Sequence, residues 1–89
     1  MRVCVLDGAE IKNRRQLHDA LASSLEFPQW YGRNLDALYD CLTDVREEAE
    51  IRIVHRDALR ENLEGYASVL ERVLQEAAEE NPRLMIDSK

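Results

Sequence analysis

At 89 residues, 45% of them hydrophobic and 34% charged, the chain has enough apolar side chains for one modest core and too little length for an enclosed catalytic cavity. Twelve basic residues against 18 acidic ones leave a net charge of −6 with no Lys/Arg-rich run, which argues against a direct nucleic-acid or membrane partner and for a basic protein. No stretch has the length and apolarity of a signal peptide or a membrane span, so the cytoplasm is the expected compartment.

The opening Val3–Leu6 run is short and β-branched and predicts a strand, closed by the Asp7–Gly8 turn signal. Asn13 or a neighbour is placed to cap the next helix, with Gln16 three residues on as in a capping box, and Leu17, Ala20, Leu21 and Leu25 make one apolar stripe on that helix. Pro28 ends that unit, and Gly32 is expected to let the chain turn tightly. Asn34 is placed to cap a second helix, with Leu35, Leu38, Leu42 and part of Tyr39 on its apolar face. Asp44–Glu50 reads as an acidic linker. Ile51, Ile53 and Val54 predict a second strand, whose incomplete alternation implies some cover on both faces. A short helix is expected over Asp57–Leu63 and a stronger one after Gly65. On the latter, Tyr66, Val69, Leu70, Val73, Leu74 and Ala77 recur at helical spacing before Asn81–Pro82 stops it. Leu84–Ile86 supplies a third strand. The strand-to-strand connections are long enough for helical crossovers, so the fold class is α/β: one domain over 1–89, a three-stranded parallel sheet packed against helices.

The stretch WYGRNLDALYDCL, residues 30–42, is the part that points to function. Asp36 and Asp40 stand four residues apart and project together from the second helix, roughly opposite its apolar face, with no basic residue between them. Their repulsion costs only a few tenths of a kcal/mol if exposed, which a solvated helix face tolerates. Asp36 falls in the first turn, where the helix dipole favours an anion. Trp30 and Tyr31 immediately precede the helix and either pack into the core or form a rigid contact centre beside the acids.

Pro28, Trp30, Tyr31, Gly32, Asn34, Leu35, Asp36, Ala37, Leu38, Tyr39, Asp40, Cys41, Leu42 and Thr43 strongly resemble the binding segment of the barstar family, intracellular inhibitors of small guanyl-preferring ribonucleases. The likeness runs nearly the whole chain, from the first strand and Asp7–Gly8 through Leu17–His18 and Ser68–Val69–Leu70 to the last strand. It implies a barstar-like fold and a helix that plugs a ribonuclease active site. Asp40 matches the acid that occupies the catalytic phosphate pocket, Asp36 a second acid answering basic residues at the rim, and Trp30 an aromatic packed on the enzyme's catalytic histidine. Gly32 and Asn34 match positions that hydrogen-bond the enzyme. Tyr31, Tyr39 and Thr43 fall within the same segment and are expected in the interface. On the helix after Gly65, Glu76 is matched to a family glutamate at the enzyme's edge; a one-residue shift would put Gln75 there instead. The family has tryptophan at Tyr39 and at Val45, tyrosine at Trp30, and glycine at Asp44. Cys41 matches one family cysteine, and the other has no counterpart near Asn81–Pro82, so no disulfide is expected.

Competing chemistry is poorly served. Acids one helical turn apart on an exposed face do not enclose a sugar as a glycosidase pair does. His18 and His55 are isolated in sequence, and His55–Arg56–Asp57 resembles a kinase triplet in a chain too short for that domain. Cys4 and Cys41 lack metal or CxxC spacing, and no EF-hand pattern is present. The expected molecule is therefore a non-enzyme without metal or cofactor, monomeric when free, whose partner is a basic ribonuclease or ribonuclease-type toxin. The alternative is a barstar-like module for a different basic protein.

Overall fold

In the computed structural model, which describes residues 1–88, seven elements follow in chain order: β1 (Arg2–Asp7), α1 (Arg14–Leu25), α2 (Leu35–Thr43), β2 (Ala49–Val54), α3 (Arg56–Leu63), α4 (Gly65–Glu80) and β3 (Leu84–Ser88). Lys89, the last residue of the expected domain, lies outside the described residues. The strands form one parallel sheet in the order β1-β2-β3. The register aligns Cys4 with Ile51 and Ile51 with Ile86, so one row of inward side chains crosses all three strands.

Alternation in β2 is regular. Ala49, Ile51 and Ile53 are buried, while Glu50 and Arg52 face away. The expectation of cover on both faces was wrong because the strand starts at Ala49, two residues before the apolar run, inside the stretch read as a linker. Period-two burial with one polar face is the pattern of a sheet covered on one side. On the open face Val3, Val5 and Met85 are exposed, and Arg52 reaches Glu50 at 3.0 Å and Asp87 at 3.9 Å.

The helices fill the other layer: α1 packs on β1, α4 on β3, and α2 and α3 on α4. Leu17, Leu21, Leu38, Leu42, Leu70 and Leu74 are all at 0% exposure. Burying each contributes roughly 1.5–3 kcal/mol, against about 0–1 kcal/mol for an exposed ion pair, so the leucine layer dominates stability. Val69, read as part of the α4 apolar stripe, is 42% exposed and stands outside it. Among the described residues, no helix is long and apolar enough to cross a membrane.

Capping follows the sequence closely. Asn13 accepts from the Gln16 backbone N–H at 2.9 Å, and the Gln16 side chain accepts from Lys12 N–H at 2.7 Å, which closes the box one residue early. Asn34 accepts from Ala37 N–H at 2.8 Å and caps α2. The turn before α2 is made differently from the expectation. The left-handed residue is Arg33, at φ 52°, and no glycine has positive φ. Gly8 is needed for a close approach instead: a Cβ there would lie 2.1 Å from the His55 carbonyl oxygen.

Asparagines tie the loops down. Asn62 donates to the Gly8 and Ile11 carbonyls, both at 3.0 Å. Asn81, 5% exposed, donates to the Leu42 and Val45 carbonyls at 2.9 Å each, which fastens the end of α2 to the end of α4.

A candidate partner-binding face

α2 and the loop before it form one wall-and-floor unit. An open groove of about 630 Å³ runs between them, lined by Phe27, Pro28, Trp30, Tyr31 and Gly32 on the loop side and Asp40, Cys41, Thr43, Asp44 and Val45 on the α2 side. Five of the nine residues singled out in the sequence thus share one concavity: Trp30, Tyr31, Gly32, Asp40 and Thr43.

Their exposures separate two roles. Trp30 is 81% exposed and stands at the groove as a free indole. Tyr31 is 4% exposed, so its side chain belongs to the core and offers a partner little surface of its own. The reason is its company. Its ring lies 4.9 Å from that of Phe27 and its hydroxyl 2.6 Å from Nδ1 of His18. Burial pushes the Tyr31 hydroxyl pKa far above its ordinary value.

On α2, Asp36 and Asp40 are exposed while Leu38 and Leu42 are fully buried on the opposite side. The i, i+4 spacing therefore presents both acids to solvent on one side of a helix anchored by its leucines. Asp36 and Asn34 lie outside the groove lining, the first in the opening turn of the helix and the second occupied with its cap. Thr43 turns its hydroxyl back onto the Tyr39 carbonyl at 2.9 Å, a bond within the last turn of the helix, and the residue lines the groove. Cys41 is half-buried, and desolvation, then the neighbouring Asp40 and Asp44 charges, raise its thiol pKa.

Tyr39 joins α2 to α4. Desolvation raises its pKa first, and the charges of Glu80, Glu76, Asp40 and Glu79 raise it further. Negative charge from both α2 and the end of α4 thus acts on one phenol. Glu76 is exposed on this side, whereas Gln75 lines a separate hollow with Arg56, Glu71 and Ser88. Among the described residues, no group of three or more histidine, cysteine or acidic side chains could hold a metal ion.

The acidic helix and the exposed tryptophan beside it belong to a chain with recognisable relatives. The family described as Barstar (barnase inhibitor) matches residues 1–87. The chain belongs to the barstar family. It is also 43% identical over 82 residues to a Bacillus subtilis (strain 168) protein named "Putative ribonuclease inhibitor YrdF", covering 90% of this chain and 89% of that protein. Barstar-family proteins are inhibitors rather than catalysts.

Sequence reasoning missed His18 in this barstar-like site. The residue was read as an isolated histidine, yet it is 1% exposed and bonded to Tyr31 and, at 2.7 Å, to Tyr66. It does not touch the groove tryptophan. A histidine one step along from Leu17 in an apolar stripe, with tyrosines elsewhere, was the available signal; the partners are 13 and 48 residues away.

Proposed function

We propose that this protein inhibits a small basic ribonuclease or ribonuclease-type toxin by occupying its active site, with Asp40 and Asp36 answering the enzyme's phosphate-binding cations. The reading rests on one observation above the others: in a barstar-family chain, Asp40 and the free indole of Trp30 line the same open groove. A ribonuclease collects positive groups to stabilise phosphate charge. A fixed carboxylate meets those groups through charge-assisted hydrogen bonds and presents no scissile bond. Because α2 is capped by Asn34 and held by buried leucines, the acids are ordered before binding, which lowers the ordering cost. Trp30 packs on the enzyme's catalytic histidine, Gly32 and Asn34 serve the backbone-level contacts, Tyr39 and Thr43 complete the face, and Glu76 meets basic residues at the edge. The net charge of −6 speeds encounter with a cationic enzyme. The complex forms in the cytoplasm, where such an enzyme would otherwise cleave the cell's own RNA.

The same face would suit another basic protein, and Asp44 and Val45, where the family pattern is broken, both line the groove. Purified protein is titrated into small basic ribonucleases while RNA cleavage is followed. Stoichiometric, competitive inhibition of one of them is the expected result. Folded protein that leaves every such enzyme fully active, while a pull-down returns a basic protein with no ribonuclease activity, would transfer the face to that other partner.

A further inference from the structure

Residues 28–34 carry Trp30 without helix or strand, and the backbone bond within them runs from Tyr31 N–H to the Pro28 carbonyl at 3.0 Å. A segment this lightly bonded would ordinarily lose much conformational entropy on binding. Two of its side chains turn back onto α1. The Tyr31 hydroxyl lies 2.6 Å from His18 Nδ1, and Arg33 Nε donates to Asp19 Oδ1 at 2.7 Å. Consecutive residues of the helix thus hold alternate residues of the loop.

The helix end of this contact is itself braced. His18 Nε2 lies 2.7 Å from the Tyr66 hydroxyl on α4, and the Arg14 guanidinium lies 4.2 Å from the centroid of the Tyr66 ring. His18 is therefore a buried imidazole with both nitrogens engaged. One donates, the other accepts, and each tyrosine hydroxyl can supply the complementary role. Arg33 also holds the unfavourable left-handed backbone, φ 52°, that aims the chain into α2, and its ion pair with Asp19 offsets part of that strain.

We propose that His18 and Asp19 form a two-point clasp that preorganises the Trp30 loop, with Tyr66 anchoring His18 from the far side; both are positioning residues for the binding face. The consequence for inhibition rests on the partner-facing role proposed for Trp30, whereas the ordering of the loop does not.

Trp30 is the one tryptophan in the sequence, so its time-resolved fluorescence anisotropy in the free protein reports on this loop alone. Amide hydrogen exchange at residue 31, whose N–H donates to the Pro28 carbonyl, gives a second reading, with the β2 amides of Ile51 and Ile53 as the global reference. Tyr31→Phe and Asp19→Arg should each speed loop exchange by roughly two- to tenfold, the worth of one hydrogen bond, and add a fast component to the anisotropy decay. The reference amides should stay protected. Combining Asp19→Arg with Arg33→Asp should restore loop order, because aspartate tolerates a left-handed backbone and the pair is re-formed. Single variants with wild-type loop exchange and anisotropy would overturn the clasp, as would an equal acceleration of loop and β2 amides or a charge swap without recovery. A clasp that passes in a protein that inhibits no ribonuclease removes the proposed function and leaves the clasp standing.

Discussion

Replacing Asn81 should cost more than any other single polar substitution away from the binding face. Its amide donates to the Leu42 and Val45 carbonyls at 2.9 Å each, and its oxygen accepts from Arg83 N–H at 3.0 Å. The side chain is 5% exposed, so water cannot easily replace these partners. Three bonds at about 0.5–1.5 kcal/mol each put Asn81→Ala at about 2–4 kcal/mol, with the upper end discounted because the Leu42 carbonyl also accepts from Val45 N–H at 3.3 Å. Asn81→Asp should be worse than alanine. It keeps the acceptor for Arg83 but points a carboxylate oxygen at two carbonyl oxygens. Urea unfolding followed by circular dichroism is the assay. With a slope of about 1 kcal/mol/M for a domain of this size, the alanine midpoint should fall by about 2–4 M at unchanged slope. An alanine midpoint within about 0.5 M of wild type, or an aspartate variant at least as stable as alanine, would refute the view that this staple holds α2 to α4.

Four further outcomes are expected. Asp40→Ala should weaken the ribonuclease complex by about 2–5 kcal/mol or more, as expected when one partner of a buried charge pair is truncated, and by more than Asp36→Ala or Glu76→Ala; dissociation constants equal across the three would reject the ranking. Trp30→Ala should weaken binding and leave the far-ultraviolet dichroism unchanged, since the indole is 81% exposed; loss of folded signal would place Trp30 in the core after all. Raising salt should slow association more than it alters dissociation, and a salt-independent association rate measured by stopped flow would remove steering. The fourth concerns pH. Desolvation, then the Arg33 charge, depress the His18 pKa in the folded state, so the unfolded chain takes up the proton first as pH falls. The stabilisation from neutral His18 is therefore complete above the unfolded value of about 6.5 and declines as pH drops from there toward the folded value. His18→Gln should flatten that part of the stability profile. Asp7, whose pKa is lowered chiefly by its hydrogen bond with His55, acts in the same direction only at lower pH, below its ordinary value of 3.8.

Local chemistry was enough to read much of this protein from its residues. Asn13 and Asn34 are caps because an asparagine in extended backbone ahead of a leucine stripe can reach the free N–H groups of the first turn. Leu38, Leu42, Asp36 and Asp40 divide between core and solvent because helical spacing alone separates them. The three parallel strands followed from alternation with helices, and the family resemblance was legible because the residues that carry it most strongly are contiguous, from Pro28 to Thr43. Tertiary structure decided what depends on residues far apart in the chain. Neighbouring aromatics Trp30 and Tyr31 look interchangeable in sequence, yet one is solvent-facing and the other is core, because only Tyr31 meets His18 and Phe27. Asn81 reads as a helix stop and proves to be a buried staple, since its partners lie 36 and 39 residues earlier. The left-handed residue before α2 is Arg33 rather than the adjacent glycine, and its side chain meets Asp19 across from α1. Hydrogen bonds and burial of this kind are made between elements, and no local pattern of spacing or propensity encodes which distant side chain will be there to complete them.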